Sequence, residues 1–134
     1  MGYRSEVSII IPNEAFKELV AKAEAENDCV YAFIKNNSLY QTDKFTTMYF
    51  HWVKWYEDYG DVQFIEDFMR NVPYVFKRIG EEYDDIDSHE DNITDYDIYD
   101  CVGIIRTLDV ESAGEKIMID GKGVETDGFK QQAE

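Results

Sequence analysis

Apolar residues crowd the segment from Glu6 to Ile11. In an extended chain Val7, Ile9 and Ile11 fall on one face and Ile10 on the other, which is the pattern of a strand buried on both sides and central in a sheet. Pro12 and Asn13 stop that strand and offer an N-cap. Phe16, Leu19, Val20 and Ala23 then recur at helical spacing with Glu and Lys between them, which predicts a helix ending by about Asn27. The run Cys29 to Ile34 satisfies either a strand or a short helix; its β-branched and aromatic content favours a strand, closed by the turn residues Lys35, Asn36, Asn37 and Ser38. Residues 45 to 55, FTTMYFHWVKW, combine aromatic and β-branched types throughout and predict a long strand in the middle of the fold. After Gly60 and Asp61, the positions Val62, Ile65, Phe68, Met69 and Val72 step by three and four, marking a second helix stopped by Pro73. Tyr74 to Ile79 reads as another strand, and Cys101 to Leu108 as the last, with Gly103 marking a bulge or a close backbone approach. Beyond Glu111 the periodicity fades, although Ile117, Met118 and Ile119 can pair once more.

This order of elements predicts an α+β fold, a mainly antiparallel sheet with two helices on one face, loosely ferredoxin-like. The expected organisation is a single domain over residues 1–112, including an acidic segment at 81–100, followed by a partly flexible C-terminal tail at 113–134. Composition agrees: 134 residues suit one domain, and 44% hydrophobic with 15% aromatic residues suffice for a packed core. Cys29 and Cys101 are too few for a disulfide scaffold, and their apolar neighbours predict two reduced, buried thiols. There is no apolar run of about 18 residues and no charged segment leading into a shorter apolar one, so the sequence predicts a cytoplasmic protein without a membrane partner.

Charge changes the picture more. The formal net charge is −16, which repels phosphate backbones and makes direct nucleic-acid binding the least favoured broad function. Ten of the acids fall between Glu81 and Asp100, a stretch with no Lys or Arg. A block of like charge is usually a solvated loop, yet this one is interleaved with apolar and aromatic groups that are normally anchored on a folded surface. The candidate partner-binding residues are therefore Glu81, Glu82, Asp84, Asp85, Asp87, Asp91, Asp95 and Asp97, with Tyr83, Tyr96 and Tyr99. Alternate residues of a strand lie about 6.6 Å apart, so Asp95 and Asp97 can project at roughly the separation of successive phosphates. The tyrosines supply flat rings where bases would stack.

Candidate chemistry is sparse. His51 lies in an aromatic strand where a histidine more often has a structural bond, and His89 lies among carboxylates that favour its charged form. No nucleophile elbow is present, and Gly121, Lys122 and Gly123 lack the spacing of a phosphate loop. No glycine interrupts the acidic stretch as an EF-hand calcium loop requires. The sequence therefore predicts no catalytic residue, no metal ligands and no cofactor, and a protein that is not an enzyme.

The opening MGYRSEV, the segment KWYEDYGDV from Lys54 to Val62, and PYVFKRIGEEYDDID from Pro73 to Asp87 resemble small proteins of bacteriophages and prophages. The resemblance covers about two-thirds of the chain and carries no catalytic residues. It implies a setting in which small acidic proteins inhibit host nucleases, polymerases or defence complexes, anti-CRISPR proteins among them. The expected function is a non-enzymatic inhibitor that docks its acidic face on a basic host protein or nucleoprotein complex. The rival expectation, from a different class, is a binder that sequesters a nucleotide signal, with Arg4, Lys77, Arg78 or Arg106 holding phosphates. Aromatic residues from Trp52 to Tyr59 make a homodimer a further expectation.

Overall fold

The computed structural model describes residues 2–91, 102–104, 108–110, 113–119 and 124–126. Strand β1 (Ser5–Pro12) leads into helices α1 (Asn13–Glu26) and α2 (Asp28–Lys35). Strands β2 (Ser38–Gln41) and β3 (Phe45–Val53), helix α3 (Gly60–Met69) and strand β4 (Tyr74–Gly80) follow. The remaining strands are β5 (Ile86–Asp91), β6 (Gly103–Ile104), β7 (Leu108–Asp109), β8 (Glu115–Ile119) and β9 (Val124–Thr126). Seven strands form one antiparallel sheet in the order β5-β4-β1-β3-β2-β8-β9, and β6 pairs with β7 separately. The inner four, β4-β1-β3-β2, are linked as β-α-β-β-α-β in the strand order of a ferredoxin-like split βαβ, with extra strands on both edges. The α+β class with a mainly antiparallel sheet is thus the fold of this chain.

β1 is central because both of its faces are apolar enough to be covered. Val7, Ile9 and Ile11 join Met48, Phe50 and Phe76 in a core with Phe16, Leu19 and Ala23 of α1, Val30 and Ile34 of α2, and Ile65 and Met69 of α3. Ile10 points the other way and packs with Val75, Ile79, Val102, Leu108, Val110 and Ala113. One face therefore carries all three helices, and the opposite face is covered by the segment containing β6 and β7.

Among the described residues three helices replace the expected two, because Cys29 to Ile34 is helical rather than extended. The deciding residue is Asn27, whose side-chain oxygen accepts from the backbone N–H of Cys29 and Val30 at 3.1 and 3.2 Å and so caps α2. With the segment wound, Val30 and Ile34 meet the core four residues apart, and Cys29 is left exposed rather than buried. Cys101 lies outside the described residues. Asn13, expected to cap α1, instead bonds the β2–β3 turn: its Nδ2 donates to the Thr42 carbonyl at 3.2 Å, and its Oδ1 accepts from Thr46 Oγ1 at 2.7 Å.

The stretch Cys101 to Leu108 is not one continuous strand, because Ile104 pairs antiparallel with Leu108. β2 is a strand that the short polar run Ser38–Gln41 did not announce. Within the segment 113–134, expected as a tail, Glu115–Ile119 pairs with β2 and Val124–Thr126 with β8; residues 120–123 and 127–134 lie outside the described ones. Gly114 is where that segment meets the β2–β3 turn. Its φ of +121° is in the glycine region, and a β-carbon there would collide with the Gln41 backbone carbonyl. Gly114→Ala is expected to cost more than the roughly 1–2 kcal/mol of backbone strain alone, because the collision with the backbone adds to it, read by urea denaturation.

Candidate functional site: an acidic edge and its groove

The acidic segment begins as a tight turn and becomes a strand. The Gly80 N–H donates to the Asp85 carbonyl at 2.8 Å, and the Asp85 N–H donates to the Glu82 carbonyl at 3.1 Å, which reverses the chain after β4. β5 then pairs residue for residue with β4, from Ile79↔Ile86 to Tyr74↔Asp91, and all six of its residues are exposed at the edge of the sheet. Long exposed edge strands invite pairing with another chain, and carboxylates on such an edge are one device that restrains indiscriminate pairing.

The carboxylates of this segment do not share one role. Asp85 accepts from Arg78 Nη2 and from the Tyr3 hydroxyl, and Asp87 Oδ2 accepts from Arg78 Nε at 2.9 Å and Nη2 at 2.8 Å. Arg78 also donates to Ser5 Oγ at 2.9 Å, which ties the turn to β1. The Arg78 guanidinium, helped by the Tyr3 hydroxyl, holds the Asp85 carboxyl below its ordinary pKa. Glu81 Oε2 accepts from the Arg4 N–H at 2.6 Å. Asp85, Asp87 and Glu81 are thus engaged in fixing the edge. Glu82 and Asp84 stand exposed on the turn, and Glu90 and Asp91 at the far end of β5. Tyr83 is 76% exposed. Asp95, Asp97, Tyr96 and Tyr99 lie outside the described residues.

Across from β5, α3 contributes acids that the sequence spacing does not single out. Val62, Ile65 and Met69 face the core, so Glu66 and Asp67 turn away from it. One groove of about 340 Å³ is lined by Glu66, Met69, Arg70, Tyr74, His89 and Asp91. An adjoining one of about 470 Å³ shares Glu66 and Arg70 and adds Glu57, Gln63 and Asp67. Four carboxylates therefore meet one Arg, and Arg70 is itself bonded to Asp67 at 3.1 Å.

Glu66 registers the crowding. Burial, then the charge of Glu57, holds its carboxyl above the usual value. His89 and Arg70 pull the other way, as does the buried Trp55 indole N–H, which closes no hydrogen bond of normal geometry. The Tyr74 phenol is raised by burial first and then by Asp91, Glu90 and Glu66, so acids from both elements converge on one place. A carboxyl raised in the folded state stabilises the protein below its unfolded pKa of about 4.3, and that contribution is lost as pH rises through the folded value. Glu66→Gln is accordingly expected to stabilise the protein above that range by up to about 1 kcal/mol after allowance for solvent screening, and to leave stability unchanged in more acidic solution. Melting curves across pH read both effects.

Both histidines are buttressed. His89 Nδ1 lies 3.0 Å from the Tyr74 hydroxyl, and its ring stacks on Phe76 at 4.7 Å. His51 sits at a β-bulge where Glu6 opposes both His51 and Trp52, and its Nδ1 lies 2.8 Å from the Tyr49 hydroxyl. That hydroxyl donates to Glu6, a fully buried carboxylate that also accepts from the Leu108 N–H at 3.2 Å. Of the cations considered for phosphate binding, Lys77 donates to the Val102 carbonyl at 2.7 Å and Arg78 is held by Asp85 and Asp87. Arg106 lies outside the described residues. The aromatic run is half-buried: Trp55 packs with Phe50 at 5.4 Å and Phe76 at 6.2 Å, while Tyr59 is 41% exposed.

Comparison of the chain with protein-family models, curated proteins and solved structures gives no match. No helix among the described residues is long and apolar enough to cross a membrane. The fold and the site together define an α+β domain with an acidic edge strand flanking an acidic groove.

Proposed function

We propose that this chain is a non-enzymatic inhibitor that docks its acidic edge on the basic surface of a host nucleic-acid-binding or defence complex, of the DNA-mimic or anti-CRISPR type, in the host cytoplasm. The observation that carries this reading is the exposed strand β5, whose Asp91 lines a groove together with Glu66 of α3, beside a second groove lined by Glu57, Glu66 and Asp67. Asp91 falls on the strand face that also carries His89, beyond the Arg78–Asp87 pair. Glu90 lies on the other face, so a cationic channel could contact both sides. The crowding that raises Glu66 would be relieved by an incoming Lys or Arg, which gives a partner's cation a favourable place to bind. The resemblance to phage and prophage proteins supplies the setting.

The test is capture from a bacterial host lysate at low and high salt, run beside the triple variant Asp84→Lys, Glu90→Lys and Asp91→Lys. These positions are chosen because they lie outside the Arg78 network, so the fold is expected to survive reversal. The expected result is a basic nucleic-acid-binding protein retained by the parent at low salt, lost as salt rises, and not retained by the variant at all. Capture indifferent to both salt and charge reversal overturns the proposal.

A further inference from the structure

A second site of opposite chemistry lies where the ends of β1 and β3 approach α2 and α3. A cleft of about 280 Å³ is lined by Arg4, Lys54, Phe33, Tyr59 and Asp61. In a chain of net charge −16 two cations share this opening, and among the described residues neither is in an ion pair. The cleft is also braced. Trp52 at the bulge adopts φ +51°, a costly conformation for a residue with a side chain, and its carbonyl accepts from Arg4 Nη1 at 3.1 Å. The Tyr59 ring packs on Tyr56 at 4.9 Å, and the Tyr56 hydroxyl accepts from the Tyr3 N–H at 2.6 Å. The first turn of α3 lines the same opening, and no side chain caps it. Its N–H groups therefore add partial positive charge.

We infer that this cleft binds a nucleoside monophosphate. Each part of that ligand has a counterpart. Arg4 and Lys54 suit one phosphate group, the Tyr59 and Phe33 rings suit a base, and the Asp61 carboxylate accepts hydrogen bonds from sugar hydroxyls. The volume of about 280 Å³ is close to the lower end, about 300 Å³, of the usual range for ligand pockets, which suits a small ligand. Arg4 and Lys54 offset the charge of one phosphate group, and charge beyond that meets the negative field of the chain, so AMP is expected to bind more tightly than ATP. The assignment is independent of the acidic edge, and the triple charge-reversed variant is expected to keep it.

Titration calorimetry at low salt with AMP, ATP, adenosine and inorganic phosphate tests the inference, with Lys54→Met and Tyr59→Leu as variants and melting curves to verify folding. AMP is expected to bind. Adenosine and inorganic phosphate are each expected to bind at least ten-fold more weakly, and Lys54→Met to weaken AMP by a similar factor, about 1.4 kcal/mol. If Lys54→Met fails to fold, Tyr59→Leu carries the same expectation for AMP. The inference is overturned by the absence of AMP binding at millimolar concentration, by parent-like affinity in a folded variant, or by adenosine, inorganic phosphate or ATP binding as well as AMP.

Discussion

Phe50→Ala is expected to lower the unfolding free energy by about 3–5 kcal/mol, the largest loss from any single truncation discussed for this chain. Phe50 is fully buried on β3, stacked against Phe33 of α2 at 4.8 Å and tilted against Trp55 at 5.4 Å. It therefore joins the sheet to the helix that the sequence left ambiguous. Truncation removes the transfer energy of a whole ring and leaves a cavity whose walls are other aromatic rings, which relax poorly. Since a domain of this size has about 5–15 kcal/mol in total, the variant is expected near its unfolding threshold at 37 °C. Denaturant midpoints with an unchanged slope are the readout.

Arg78→Ala is expected to cost about 2 kcal/mol and to act on the acidic edge specifically. Breaking a buried pair costs about 3–5 kcal/mol, and the figure is reduced because Asp87 is more than half exposed. Without the guanidinium, Asp85 and Asp87 repel each other at the point where the turn joins β4. The pH dependence separates this from a packing defect. Because the Asp85 carboxyl is lowered in the folded state, its stabilisation is present above the unfolded pKa of about 3.9 and disappears as pH falls through the folded value. The parent is expected to lose that increment in acid, while Arg78→Ala keeps only the part due to the Tyr3 hydroxyl and shows a flatter profile. Faster hydrogen exchange confined to the amides of β5 would locate the effect.

Much of the fold was legible because hydrophobic periodicity reports burial directly. β1 shows its central place through Ile10 opposing Ile9 and Ile11, and α3 shows its stripe through Val62, Ile65 and Met69. CVYAFI was misleading because a short apolar run has no period of its own, and the deciding signal, Asn27 as a cap, sits one residue before the helix. β5 was illegible as a strand for the opposite reason: Ile86–Asp91 is exposed on both faces and carries no alternation. The concentration of charge was plain in the sequence, but its division of labour was not. Only the register of β4 against β5 places Asp87 opposite Arg78, and only the packing of α3 brings Glu66 to the groove lined by Asp91, with Glu57 and Asp67 in the groove beside it. Contacts between residues distant in sequence, such as Tyr3 with Asp85, leave no local trace.

On the proposed reading, the acidic edge of β5 occupies a surface of the host protein that otherwise holds a polyanion. The most direct test is competition on the captured host protein, with labelled nucleic acid bound first and this chain added at constant ionic strength. Stoichiometric displacement is expected from the parent and none from the Asp84→Lys, Glu90→Lys, Asp91→Lys variant; a ternary complex holding both nucleic acid and the parent chain would overturn the docking.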